Sequence, residues 1–166
     1  NSPSDSITEW QGKAADYGAL SLFTHYLVDH YGEAILTDSL KSPEIGIESI
    51  DKALKDKGFN ERFSDIFIDW AIAIFINDCS LGGKYCYKNE SLKEVRVVPQ
   101  SNYLPLGSKS VLSVFYQTKD WAGKWHKLFG GRGNLEFKFD GEDNADFKAP
   151  YILCRKNGGC LIDFLE

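Results

Sequence analysis

Apolar positions recur every three or four residues through the first half of the chain, which is the spacing of amphipathic helices. The pattern predicts three helices at about 15–31, 42–58 and 61–77, preceded by a short one that begins near Ile7 and includes Trp10. Gly32 follows the first of the three, and Ser42-Pro43 opens the second; both are common signals at helix ends. The third is apolar on several sides, which favours a place in the middle of a core.

The second half of the chain has a different pattern. From Tyr85 onward, short runs rich in Val, Ile, Phe and Tyr are separated by Gly, Pro, Asn and Asp, which is typical of strands. The predicted strands lie at 94–98, 110–116, 134–139, 147–154 and 160–165. The change of pattern predicts a helical subdomain at 1–84 and a β-rich subdomain at 85–166. The expected fold class is α+β, a helical bundle followed by a small antiparallel β domain.

Charge and hydropathy argue against two classes of partner. The formal net charge is −5 and no stretch forms a basic face, so we expect no nucleic-acid partner. The longest apolar run, at 70–76, is far too short to span a bilayer. The sequence contains no methionine. We therefore expect this chain to be the downstream part of a larger protein.

The four cysteines fall into two close pairs, Cys79 with Cys86 and Cys154 with Cys160. Four cysteines permit three connectivities, and the sequence alone does not choose among them. The run Lys156-Asn157-Gly158-Gly159 predicts a turn that brings Cys154 and Cys160 across a hairpin, which favours local pairing. A zinc site is the alternative, but neither pair has Cys-x-x-Cys spacing or a histidine nearby. Disulfides indicate a secreted, periplasmic or cell-surface protein.

Few residues are candidates for chemistry. His25 and His30 share a helix but point about 140° apart, and His126 has no neighbouring ligand, so structural roles are favoured over metal binding. An acidic loop has alternating oxygen donors that suit calcium, although a solvated turn is the simpler interpretation. Its candidate ligands are Asp140, Glu142, Asp143, Asn144 and Asp146. No serine has a Gly-x-Ser-x-Gly setting, so a serine hydrolase is not indicated.

Several motifs resemble a known family. The run at 17–32 reads Tyr-Gly-Ala-x-x-Leu-Phe-x-x-Tyr-Leu-x-x-x-Tyr-Gly and follows Trp10. Further matches come in order at 46–54, at Phe63 and Phe67, at 69–73, at 80–87 and, in the β half, at 125–140. Together they resemble the bacterial secreted zinc metallopeptidases of the gluzincin type. The resemblance covers most of the chain, but its residues are structural ones.

The resemblance implies a scaffold and not a complete catalytic site. In that family a His-Glu-x-x-His helix and a later glutamate hold zinc, and no such motif occurs in this sequence. The chain resembles the C-terminal subdomain, so the zinc would belong to an upstream catalytic segment and the substrate would be a protein or peptide. Tyr17 matches a tyrosine whose hydroxyl stabilises the oxyanion in related enzymes, with a packing role as the alternative.

A second hypothesis is an extracellular binding or adhesion module that kept this fold and lost the chemistry. It predicts a surface patch of exposed aromatic side chains on the β half. Trp121 and Trp125 are the candidates for that patch.

Overall fold

The structure is a computed structural model that describes residues 5–104, 111–155 and 158–165. Its elements give a mixed α+β layout. Four helices come first: α1 (Ala14–Tyr31), α2 (Ala34–Lys41), α3 (Ile47–Asp56) and α4 (Phe63–Ile76). Four strands follow: β1 (Gln100–Leu104), β2 (His126–Gly130), β3 (Pro150–Arg155) and β4 (Gly158–Phe164). No helix of the described residues is long and apolar enough to cross a bilayer.

The chain divides into two compact units. The helical unit consists of Asn1–Val97 with Thr118–Lys124, and the strand unit consists of Val98–Gln117 with Trp125–Glu166. By its contacts the segment from residue 85 to Val97 belongs with the helical unit, whereas the subdomains at 1–84 and 85–166 remain a prediction from the sequence pattern. The reason is that Cys86 and Tyr87, both 1% exposed, are buried with the helices.

The predicted helices occur with small changes at their ends. The first and third match α1 and α4, but the second, α3, begins at Ile47 instead of Ser42. Gly46 precedes it with φ +61°, a left-handed conformation that favours glycine and that a helix interior does not contain. The short helix expected near Ile7 and Trp10 is absent from the described residues, which form bends there. The pattern also missed α2, whose single buried side chain is Ile35.

The core of the described residues lies in the helical unit. α1 and α4 contribute the largest buried side chains, and the segment after α4 adds to them. Phe23 packs against Phe63 and Trp70 with ring centroids 5.2 and 5.5 Å apart. The other large core residues are Tyr26, Leu27, Ile35, Leu54, Ile66, Ile74 and Tyr87.

The strand unit contains two separate two-stranded sheets. β3 and β4 form the predicted antiparallel hairpin, although Lys156 and Asn157 of its turn lie outside the described residues. β1 and β2 pair in parallel, so the expectation of a purely antiparallel β domain is wrong. Gly130 at the end of this pair has φ +79°, and a Cβ there would lie 2.6 Å from the carbonyl oxygen of Leu104. The parallel pair therefore requires glycine at this position.

Three predicted strands do not form among the described residues. These are the predicted strands 94–98, 110–116 and 134–139. Residue 110 of the second one lies outside the described residues. In 134–139 apolar and polar residues alternate in the sequence, but every residue is exposed, and Leu135, Phe137 and Phe139 are each about half exposed. Alternation predicts a strand only where a neighbouring strand accepts its hydrogen bonds, and the described residues provide none here.

Candidate functional site

The first turn of α1 is fixed by the carboxylate of Asp16. Its Oδ2 accepts hydrogen bonds from the backbone N–H of Gln11 at 2.9 Å and of Lys13 at 2.8 Å. Lys13 is the residue before the helix, so Asp16 reaches back as the third residue of a capping box does. The contacts hold the incoming chain against the start of α1.

The other oxygen of Asp16 has a different environment. The residue is 3% exposed, and Oδ1 is buried without a hydrogen-bond partner among the described residues. The hydrogen bond from the Lys13 N–H is the main cause that lowers the pKa of Asp16, while burial acts in the opposite direction. The N–H of Gln11 and the neighbouring Asp5 carboxyl lower it further. Asp16 is therefore an anion at neutral pH, and a side-chain hydrogen bond with Asp5 is among the causes that keep its pKa low.

This carboxylate lines a small cavity of about 200 Å³, which we call the Asp16 pocket. Its walls are residues 6–10, Asp16 and Leu20. Ser6, 2% exposed, holds the wall in shape because its Oγ accepts the backbone N–H groups of Thr8 and Glu9 at 3.2 and 3.1 Å. The pocket thus combines a buried charge with apolar walls from Ile7, Trp10 and Leu20.

Two exposed aromatic rings lie at this end of α1. Trp10 is 58% exposed and lines the pocket, and Tyr17 is 62% exposed. Their rings meet edge to face with centroids 4.7 Å apart. Tyr17, the predicted oxyanion-stabilising residue, therefore stands in solvent beside the pocket and is not a buried packing residue.

Two further carboxylates lie near the pocket and share one lysine. The Nζ of Lys119 is 2.9 Å from Oε2 of Glu9 and 3.8 Å from Oδ1 of Asp5. The hydrogen bond that Lys119 donates to Glu9 is the main cause that raises the pKa of Lys119. This ammonium is thus paired with the exposed carboxylate of Glu9 and, at a longer distance, with the part-buried one of Asp5. The exposed pair contributes little to stability.

A second polar cluster, which the sequence did not predict, ties the segment after α4 to α1 and α4. Tyr87 Oη accepts the indole N–H of Trp70 at 2.9 Å and donates to the carbonyl oxygen of Leu22 at 3.1 Å. Tyr26 Oη donates to the carbonyl oxygen of Lys84 at 2.6 Å. Burial raises the pKa of both tyrosines, so both are neutral hydrogen-bonding groups.

Asn77 completes this cluster at the end of α4. It adopts φ +43°, and its Oδ1 accepts the backbone N–H of Tyr87 at 2.9 Å. Its Nδ2 lies 2.9–3.0 Å from the carbonyl oxygens of Leu92, Lys93 and Val95. Asparagine is among the few side chains that tolerate this left-handed backbone, so one residue both ends the helix and fixes the segment that follows.

One ion pair lies in the same region. Asp69, 6% exposed, is 2.9 Å from the Nζ of Lys84, whose side chain is 54% exposed. Burial raises the pKa of Asp69 in spite of Lys84, whereas Asp69 raises the pKa of Lys84 in spite of partial burial. The raised pKa of Asp69 indicates that the folded state disfavours its charge, whereas the raised pKa of Lys84 indicates that the folded state favours its charge. The carboxylate is the buried partner, so its desolvation decides the effect on folding.

The histidines have no metal-binding arrangement. His30 Nε2 donates to the carbonyl oxygen of Cys86 at 2.9 Å, and burial lowers its pKa. His25 is exposed on α1, and His126 lies on β2 with its Nδ1 3.3 Å from Nδ2 of Asn102. None of them lies in the Asp16 pocket.

The calcium interpretation receives no support from the described residues. They include the whole acidic loop with Asp140, Glu142, Asp143, Asn144 and Asp146, which is exposed apart from its glycine. Within the described ranges, no three His, Cys, Asp or Glu side chains are grouped so that they could hold a metal ion. The sequence predicted alternating oxygen donors, but alternation does not bring them around one point.

The two candidate surface tryptophans belong to different units. Trp121 is half-buried in the helical unit, where its ring contacts Phe63 and Phe67 with centroids 4.8 and 5.5 Å apart. Trp125 is half-buried in the strand unit, and its carbonyl oxygen accepts the N–H of Gln100 at 2.8 Å. Trp121 therefore serves packing, and the exposed tryptophan of the helical unit is Trp10.

Both cysteine pairs form the predicted local disulfides. Cys79–Cys86 follows α4 in the helical unit, and Cys154–Cys160 joins directly opposed residues of β3 and β4. The described residues contain no free cysteine. Two disulfides are compatible with an extracellular protein.

Comparison with known proteins assigns no family. No family model matches the chain, and no curated protein or solved structure matches it. The functional hypotheses therefore depend on the residues themselves.

Proposed function

We propose that this chain is the C-terminal, non-catalytic part of a secreted zinc-metallopeptidase-like protein, and that its helical unit forms a wall of the substrate cleft. The observation that carries the proposal is the exposure of Tyr17, 62%, on the first turn of α1 beside an open pocket. An oxyanion-stabilising hydroxyl must reach substrate, so a buried Tyr17 would have removed the main functional argument from the resemblance.

The described residues do not fit a zinc site. The sequence has no His-Glu-x-x-His, and the described ranges contain no group of three ligands. The proposal therefore assigns zinc to an upstream segment and derives no chemical step through it. Two roles remain for this chain: its helices support the cleft, and the Tyr17 hydroxyl donates a hydrogen bond to the oxygen of a peptide carbonyl as negative charge develops there.

The test joins this chain to the upstream segment of its own reading frame. We expect a His-Glu-x-x-His motif within about 150 residues before Asn1, the size of a typical domain. In the joined protein, Tyr17→Phe should lower kcat about 100-fold with little change in KM, the usual loss for one oxyanion donor. Tyr103→Phe is the matched control, because Tyr103 is 77% exposed but lies on β1.

Three results would contradict the proposal. The reading frame could lack the zinc-binding motif, or Tyr17→Phe could leave kcat unchanged. The third is chelator-sensitive cleavage of peptides by the 166-residue chain alone, since the proposal places the zinc ligands elsewhere.

The second candidate function is an extracellular binding module without catalysis. The Asp16 pocket favours it, because a buried anion beside an exposed aromatic ring needs no upstream segment to bind a ligand. The two functions differ in one measurable respect. A binding module keeps its full affinity in the isolated chain, whereas a cleft wall gains affinity when the catalytic segment is joined.

A further inference from the structure

The strand unit has no buried core among its described residues. None of them is buried, and large apolar side chains such as Val98, Tyr103 and Phe115 are exposed. Each of its two sheets has only two strands in the part of the chain that the structure describes. A two-stranded sheet is marginally stable in water, and three or more strands are usually needed for independent stability. A further strand would therefore stabilise this unit.

β1 has one edge that no described strand covers. The N–H of Gln100 donates to the carbonyl oxygen of Trp125 at 2.8 Å, so Gln100 turns its backbone groups towards β2. Backbone groups alternate in direction along a strand, so those of Ser101 and Tyr103 point to the opposite edge. No described strand pairs with β1 at that edge. Such a row of unpaired N–H and C=O groups is a template for another strand.

The composition of β1 leaves this edge open to pairing. Native strand edges are commonly protected by lysine, other charged residues or proline. β1 reads Gln-Ser-Asn-Tyr-Leu and has none of these. Each of the other described strands has at least one, namely Lys127 in β2, Pro150 and Arg155 in β3, and Asp163 in β4. Of the described strands, β1 is therefore the one best suited to accept a partner strand.

The free backbone groups of β1 are complementary to those of a second β1. When two copies pair antiparallel about Asn102, Ser101 of each copy faces Tyr103 of the other, and each such pair exchanges two backbone hydrogen bonds. Asn102 then faces its own copy, with Cα atoms about 4.5 Å apart. The small serine leaves room for the tyrosine ring, which stacks on Phe129 of β2 with centroids 5.4 Å apart. Both copies use the same surface, as in a closed two-fold dimer.

The distribution of charge favours the same partner. The strand unit, Val98–Gln117 with Trp125–Glu166, contains seven Lys or Arg residues and seven Asp or Glu residues, so its formal charge is zero. The net charge of −5 therefore lies wholly in the helical unit. A unit without net charge does not repel its own copy, and a net charge near zero promotes association.

From the geometry we infer that the free edge of β1 is the pairing surface for a second copy of this chain. The two copies join antiparallel through β1, and the strand order β2-β1-β1-β2 makes a four-stranded sheet. The assembly stops at two copies, because each β1 edge is used once. The inference goes beyond the proposed function and does not depend on it.

The first test measures the mass of the 166-residue chain in solution. Sedimentation velocity covers concentrations of about 0.01–1 mM, the range in which weak complexes dissociate. We expect the sedimentation coefficient to rise with concentration to that of a dimer and no further. A chain that stays monomeric throughout would overturn the inference, because the edge would then have another partner or none. Growth into species larger than a dimer would overturn it as well.

Replacement of Asn102 by charged residues tests the register. Asn102→Lys or Asn102→Asp places like charges directly opposite each other, so each variant alone should dimerise about tenfold more weakly or worse. An equal mixture of the two variants should recover the dimer, because lysine then faces aspartate. Ser113→Lys and Ser113→Asp are the matched controls, since Ser113 is exposed in the same unit but lies outside the strands. They should dimerise like the parent chain, alone or mixed.

A further variant keeps the test decisive if the Asn102 variants do not fold. The side chain of Asn102 donates to the carbonyl oxygen of Gln100, and both replacements lose this bond. Ser101→Pro instead removes an N–H that β2 does not use, and with it two of the four hydrogen bonds between the copies. It should abolish the dimer. An unchanged dimer in Ser101→Pro, or no recovery on mixing folded Asn102 variants, would overturn the inference. None of these results depends on peptidase activity, so they leave the proposed function to its own test.

Discussion

Tyr87→Phe removes a hydroxyl that joins three parts of the helical unit. Tyr87 is 1% exposed, accepts the indole N–H of Trp70 on α4, and donates to the carbonyl oxygen of Leu22 on α1. Phenylalanine fills nearly the same space, so the variant removes hydrogen bonds without making a large cavity. The Trp70 ring is also 1% exposed, so water cannot easily replace the lost acceptor.

The expected loss follows from the two partners left behind. A buried donor without an acceptor costs about 1–3 kcal/mol, and the Leu22 carbonyl loses a bond worth about 1 kcal/mol. We therefore expect the free energy of unfolding of the helical unit to fall by about 2–3 kcal/mol. Tyr26→Phe is the matched control. Its hydroxyl donates to the carbonyl oxygen of Lys84, so the variant loses this one hydrogen bond and the loss should be about 1 kcal/mol.

The assay is urea unfolding followed by far-UV circular dichroism, which reports the helices. With a slope of about 1–3 kcal/mol per molar urea, the midpoint should fall by about 1–2 M for Tyr87→Phe. A second readout uses alkaline pH. Burial raises the pKa of Tyr87 above its ordinary 10.0, so its contribution is complete below pH 10 and is lost as pH rises further.

Tyr87→Phe should show less of this alkaline loss than the parent chain. A change in stability below about 0.5 kcal/mol, or a smaller one than that of Tyr26→Phe, would refute the reasoning. Either result would mean that the Trp70 N–H finds another acceptor when the hydroxyl is removed.

Three further changes test the rest of the helical unit. Replacing both Cys79 and Cys86 by alanine should lower the free energy of unfolding of the helical unit by about 2–3 kcal/mol, which is the entropy cost of closing the short loop. Urea unfolding measures this change, and the same double replacement at Cys154 and Cys160 is the control. Asn77→Gly should lower the free energy of unfolding by about 2–3 kcal/mol, because glycine tolerates the left-handed backbone but makes none of the side-chain hydrogen bonds. An unchanged melting temperature in a thermal scan would contradict this role of Asn77. Burial raises the pKa of Asp69 above 3.8, so the folded state takes up a proton more readily than the unfolded state. The parent chain should therefore gain stability relative to Asp69→Asn as pH falls from 7 towards 4. A stability difference that does not change with pH would contradict this prediction.

The helices of this fold could be read from the sequence because their signals are local. The apolar face of α1 and the stop at Gly32 both occurred as predicted, since spacing and a helix-ending glycine act within a few residues. α2 was missed because it has eight residues and one buried side chain, Ile35, which is too little for a periodic pattern. Both disulfides were predicted for the same reason, since each joins cysteines six or seven positions apart.

The strands and the pocket could not be read in this way because they depend on distant residues. β1 forms because it pairs in parallel with β2, and no short pattern at Gln100–Leu104 indicates that partner. Trp10 and Asp16 were visible in the sequence, but an aspartate in a first helical turn is usually an exposed cap. Asp16 is 3% exposed and lines a cavity with residues 6–10, and no short sequence pattern indicates this arrangement.

The buried polar groups of the helical unit explain how its fold is held together. Asn77, Tyr87 and Tyr26 are buried polar residues whose hydrogen bonds hold the segment after α4 in place, so they explain the fold. Asp16 does the same with Oδ2, and replacement by asparagine would preserve that role. Its Oδ1 accepts no hydrogen bond from the described residues, but the folded state favours the carboxylate as an anion, because hydrogen bonds hold its pKa below 3.8. The capping bonds of Asp16 therefore account for the charge that the first turn of α1 keeps buried.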